Sequence, residues 1–206
     1  MLDGFGMAVR TLEGHVGAAT WAMAVFAAGF GLAFPVVRLE VKSLLLIPTW
    51  VARLAKKYLT PDVSPVFLCA FIFGFNAVAI FCYMVSGGLL FLPIVFDLFT
   101  GLNVGAVMVR NMREPEEEEL TGPLPPVRAW VGFLGLFVIV VELSSLWLAI
   151  GMGITLGHAM RAGFGWATFV EAARPRILAY VLIIVPALAA SAAAETAAVK
   201  AMFRRQ

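Results

Sequence analysis

The stretch PVFLCAFIFGFNAVAIFCYMV, residues 65–85, decides the fold class. It carries no charge and is interrupted only by Asn76 and the cysteines Cys69 and Cys82. Its length matches the roughly 20 apolar residues that take a helix across a hydrocarbon core of about 30 Å. A barrel strand would alternate every second residue, and runs such as Phe91-Leu92-Pro93-Ile94-Val95-Phe96 do not.

Four further runs of this kind lie on either side: Val16–Val37, Leu89–Val109, Ala129–Gly157 and Ile177–Val199. The fourth span is too long for one straight crossing, so it tilts, breaks at Gly151–Gly153 or ends in a short re-entrant piece. The expectation is five crossings, six if that region divides. Composition agrees, with 62% of the chain apolar, 14% charged and a mean hydropathy of +0.94. Soluble domains hold about 45–50% apolar and about 25% charged residues. Residues 1–206 therefore read as a single all-α integral membrane domain, a polytopic transmembrane helix bundle, multi-pass in the inner (cytoplasmic) membrane. The start does not read as a cleavable signal, because Asp3 and Glu13 spoil a positive leader region.

Basic residues set the orientation. Arg38, Lys42, Arg53, Lys56, Lys57, Arg110, Arg113, Arg128, Lys200, Arg204 and Arg205 fall on one side, against Arg10, Arg161, Arg174 and Arg176 on the other. The first and third loops and the C-terminus are expected in the cytoplasm. Residues 40–59 read as an interfacial amphipathic helix, with Lys42, Arg53, Lys56 and Lys57 towards the membrane surface and Leu44, Val51 and Tyr58 opposite. Residues 110–127 form an acidic, proline-rich loop around Glu116-Glu117-Glu118-Glu119. A net charge of +2 points to the lipid bilayer rather than to nucleic acid as the partner of the basic groups.

Chemistry, if any, must come from polar groups inside the spans, where an acid at the centre costs at least about 2.5–3.5 kcal/mol on insertion scales. The intramembrane candidates are Asn76, Asp97, Asn103, Glu142 and Glu195. Glu142 has the strongest claim, lying near mid-span, and Asn76 or Asn103 is expected to partner it. Glu195 lies near the cytoplasmic end, within reach of Lys200. No basic residue reads as deep in a span, so these acids have no expected buried counter-ion. The small-residue pairs Gly101/Gly105 and Gly153/Gly157 mark close helix packing, with Asn103 beside the first pair. No metal-ligand spacing, nucleophile–base arrangement or phosphate loop is present, which points to no metal, no cofactor and no enzymatic role.

The segments Phe71-Ile-Phe-Gly-Phe-Asn76-Ala-Val-Ala, Phe99-Thr-Gly101-Leu-Asn103-Val-Gly105, Glu142-Leu-Ser-Ser-Leu-Trp-Leu-Ala-Ile-Gly-Met-Gly-Ile-Thr-Leu-Gly157 and Pro186-Ala-Leu-Ala-Ala-Ser-Ala-Ala-Ala-Glu195 together resemble the stage II sporulation protein M family of integral membrane proteins. The resemblance covers roughly residues 65 to 200. Two features depart from it: Val138 and Ile139 stand where the family has His-Gly, and the third span reads Gly-x-Asn-x-Gly. The resemblance implies a non-enzymatic membrane scaffold holding partner proteins. The competing expectation is a transport permease subunit, passive or driven by a separate ATPase, with Glu142 and Asp97 on its path. Other membrane proteins, including a second copy of the chain, are the expected partners in either case.

Overall fold

The computed structural model describes residues 2–46, 49–50, 53, 62–89, 91–113 and 126–203, and these residues are helical throughout apart from short turns. In chain order the helices are α1 (Leu2–Glu13), α2 (Val16–Arg38), α3 (Pro65–Val85), α4 (Leu92–Arg113), α5 (Pro126–Ala162), α6 (Trp166–Ala179) and α7 (Val185–Phe203). A 3₁₀ turn, Ser86–Leu89, links α3 to α4, and a π-helical turn, Tyr180–Ile184, joins α6 to α7 without a break. Five helical segments are long and apolar enough to cross a membrane: Val16–Arg38, Pro65–Leu89, Leu92–Arg110, Gly132–Ala162 and Trp166–Ala201. The protein is a multi-pass membrane protein of all-α class.

Of the three alternatives for the fourth span tilting is left, and the start of the last span is corrected. The fourth span neither breaks at Gly151–Gly153 nor turns back: α5 runs through both glycines as one helix of 37 residues, about 55 Å at 1.5 Å per residue. The last span starts at Trp166 rather than Ile177, so the α6–α7 rod is long and no sixth crossing separates from it. Pro186 explains the π-helical turn. Proline has no N–H for the carbonyl four residues back and crowds it, and the chain widens just before it, with Val185 N–H bonded to Tyr180 O.

Helix α2 ends in a Schellman closure, with Glu40 N–H on Val37 O at 3.3 Å and Val41 N–H on Val36 O at 3.1 Å. Glu40 takes the left-handed conformation, φ 51°, that usually falls to glycine. Of the expected interfacial helix, Lys42 and Arg53 are exposed and Leu45 is buried, whereas Lys56 and Lys57 lie outside the described residues. Thr49 accepts a hydrogen bond from Arg110 at 3.0 Å, which ties the start of that segment to the end of α4. The helix α4 continues to Arg113 and α5 begins at Pro126, so both edges of the acidic loop are helical, and its glutamate run lies outside the described residues.

Packing separates into two units that share α5. Helices α2 and α4 touch backbone to backbone: a Cβ on Gly101 would lie 2.1 Å from Phe26 O, one on Gly29 2.1 Å from Leu98 O, and one on Gly105 2.7 Å from Ala33 Cβ. Such contact replaces the hydrophobic drive that lipid removes. Helices α3, α5 and α7 form the second unit around Ile80, Met84, Leu146, Ile150, Ile184 and Leu188, all buried. The outer faces are apolar and bare, as lipid requires: Trp21, Leu32, Phe67, Phe75, Val78 and Val140 are each at least half exposed. The amphipathic α1 lies against α6 and buries Ala8.

Candidate functional site

Glu142 lies in the apolar stretch of α5, facing both α3 and α7. Asn76 on α3 donates its amide to Glu142 Oε1 at 2.7 Å, and Ser191 on α7 donates its hydroxyl to the same oxygen at 3.1 Å. One carboxyl oxygen therefore joins three helices far apart in sequence. Both donors are neutral, so the acid is held by dipoles rather than by a counter-ion, and interhelical bonds of this kind contribute roughly 0.6–2 kcal/mol each. Glu195 follows Ser191 by one helical turn on α7, half-buried, with its carboxyl in electrostatic range of Glu142. Nearby, the Tyr180 hydroxyl donates to Ala77 O, pinning the π-helical turn to α3 one residue beyond Asn76.

Of the two expected amide partners, Asn76 reaches Glu142 and Asn103 does not. Asn103 turns its amide back to Phe99 O at 2.7 Å within α4, and its carbonyl oxygen is buried without a partner among the described residues. Lys200 donates to Val63 O at the far end of α7. Asp97 is fully buried, and neither of its oxygens has a hydrogen-bond partner among the described residues. It shares a face of α4 with Pro93, which touches Gly153 of α5, and with Gly101, which touches Phe26 of α2. Asp97 thus sits at a junction of α2, α4 and α5, which shares only α5 with the Glu142 cluster.

Gly101 and Gly105 make the close contact expected of them. Gly153 does so with a different neighbour at each side, Tyr83 O at 2.9 Å and Pro93 Cγ at 3.2 Å from an added Cβ, and Gly157 is buried. Gly151, which sequence reasoning did not list as a packing residue, faces α2, where an added Cβ would lie 2.7 Å from Ala19 N.

Arg176, expected in the loop before the last span, lies within its helix. Because α6 begins ten residues before it, Arg176 lies on the helical rod rather than in a loop. Its guanidinium donates to Met152 O and Thr155 Oγ1 of α5, both at 3.1 Å, and to Ala172 O of its own helix. The charge is spent on carbonyl and hydroxyl dipoles, and it ties α6 to α5 on the same two rods that Ser191 ties further along. His15, just before α2, faces this region. Its Nδ1 bonds Thr11 O, and its Nε2 is buried without a partner among the described residues. Burial holds its pKa below the ordinary histidine value, partly offset by the Thr11 carbonyl and reinforced by the Arg176 charge. The helix Trp166–Ala179 runs on through Pro175, whereas the apolar run by itself begins only after Arg174 and Arg176.

Among the described residues no three His, Cys, Asp or Glu side chains converge as a metal site would require. The Glu142 cluster can hold helices together, or accept and release a proton at a carboxyl oxygen that two donors orient. Comparison of the chain with protein families, with curated proteins and with solved structures finds no match in any of the three.

Proposed function

We propose that the chain is a non-enzymatic, multi-pass subunit of the cytoplasmic membrane that anchors a membrane protein complex. The observation that carries this reading is the use of Glu142: its oxygen is occupied by Asn76 and Ser191 from two other helices. A mid-membrane acid bonded in this way acts as a clamp on the bundle. The resemblance to the stage II sporulation protein M family, whose sporulating members are scaffolds, points the same way. The helix α3 is the least covered of the five crossings. Its exposed row Phe67, Phe71, Phe75 and Val78 offers a side on which another membrane protein can pack. The charge asymmetry places the C-terminus and the loops after α2 and α4 in the cytoplasm.

A second reading, a permease subunit, draws on Asp97, a carboxyl wholly inside the bundle with no partner among the described residues, and on the nearness of Glu195 to Glu142. One experiment separates the two. The full chain is cross-linked in its native membrane, purified and analysed for stoichiometric companions, and the purified protein is placed in vesicles for ion and proton flux. A defined companion with no flux supports the anchor. Flux from the isolated chain that Glu142→Gln abolishes supports the permease and overturns the anchor.

A further inference from the structure

Outside the Glu142 cluster, a groove of about 710 Å³ lies between α1 and the α6–α7 rod, lined by Met7, Arg174, Pro175, Ile177, Leu178 and Val181. That volume is in the range of sites that hold small organic molecules. Five of the six lining residues are apolar and the sixth is a cation, with no acid among them. Arg174, Ile177, Leu178 and Val181 follow one another at helical spacing, so they form one stripe along the rod. From Arg174 to Val181 the stripe runs about 10 Å, beginning at an exposed guanidinium and ending on aliphatic side chains within the crossing.

That order, charge at one end and apolar wall beyond it, is the order of a phospholipid from headgroup to acyl chain. The groove opens on a helix that is itself amphipathic and on a rod that crosses the bilayer, so lipid is the molecule that surrounds it. A guanidinium presents a planar fork of donors that fits phosphate oxygens in pairs. Arg176, two residues on, is already bonded to α5 and to its own helix, which leaves Arg174 as the cation of the groove. We propose that this groove is a binding site for an anionic phospholipid, with the phosphate on Arg174 and one acyl chain against Met7, Ile177, Leu178 and Val181. A bound chain would also cement α1 onto the rod.

The test uses the full chain in nanodiscs containing phosphatidylcholine and phosphatidylglycerol in equal parts, released into the gas phase for native mass spectrometry. The wild type should retain one phosphatidylglycerol in preference to phosphatidylcholine. Arg174→Gln should reduce that preference roughly fivefold, the effect of one basic side chain near a membrane surface. Val181→Trp, which fills the groove, should abolish retention of either lipid, whereas Arg161→Gln should change nothing. Equal retention of the two lipids by the wild type overturns the proposal. So does unchanged phosphatidylglycerol retention in Arg174→Gln, and so does a second copy of the chain, rather than lipid, being what Val181→Trp displaces. If Val181→Trp does not fold, the Arg174→Gln comparison decides alone.

Discussion

Gly87 lies so close to Gly153 that a Cβ added to Gly87 would stand 1.9 Å from the Gly153 carbonyl oxygen. The contact joins the turn between α3 and α4 to the C-terminal third of α5, and both of its sides are backbone. A methyl group there cannot be met by a side chain moving aside. Gly87→Ala should therefore lower the thermal midpoint in detergent, with a cost at or above the roughly 1–3 kcal/mol of ordinary overpacking. Gly74, on α3, has nothing within 4 Å of an added Cβ, so Gly74→Ala should leave the midpoint unchanged or raise it by a few degrees. Equal behaviour of the two variants would contradict the close approach.

Acid should loosen the bundle in part through His15. With Nδ1–H directed at Thr11 O, the neutral ring keeps its lone pair on the buried Nε2, and protonation would put an unpaired N–H there beside Arg176. Since the folded-state pKa is lowered, the unfolded chain takes up the proton first as pH falls. The His15 contribution is then fully present above about 6.5 and lost as pH drops below that, through the folded value. Melting curves at neutral and mildly acidic pH should show a smaller loss for His15→Gln than for the wild type. An identical pH dependence would remove His15 from the account.

Asp97 tests what an unpartnered acid does. If it only fills space, Asp97→Leu removes two oxygens that lack partners and should stabilise the protein by about 1–3 kcal/mol. A fall in thermal midpoint with Asp97→Leu, rescued by Asp97→Asn, would show that the carboxyl has a bonded partner in the working protein.

The unequal effects of glutamine and leucine at position 142 can be read in the assembled state. Glu142→Gln keeps an oxygen for Asn76 and Ser191 and should preserve the complex. Glu142→Leu strands both donors and should weaken recovery of companions after solubilisation. Equal recovery with both variants would mean that the clamp is not what holds the complex.

Much of this architecture is legible in the residues, and the places where legibility stops have physical causes. Residues 65–85 name their own limits because Pro65 opens the helix and Ser86-Gly87-Gly88 closes it. The last crossing was truncated because an apolar-run reading stops at Arg174 and Arg176, whereas a helix continues past an arginine that can reach carbonyls of its neighbour. Asn76 was findable, since an acid in hydrocarbon demands a polar partner and only a few exist. Choosing it over Asn103 was not, because the choice depends on the rotation of α4, which Gly29 and Gly101 set through backbone contact. Ser191 was hidden in an alanine-rich run whose facing side only the packed structure reveals. Asp97 was visible as a residue but not as a buried one without partners.

The central claim is that Glu142 clamps α3 to α5, and a double-mutant cycle on Asn76 and Glu142 measures it most directly. Unfolding free energies are taken for the wild type, Asn76→Leu, Glu142→Leu and the double variant in the same detergent. A coupling of roughly 0.6–2 kcal/mol is the expected result for a bond of this kind inside a membrane bundle. Strictly additive losses, with no coupling between the two positions, would contradict the account.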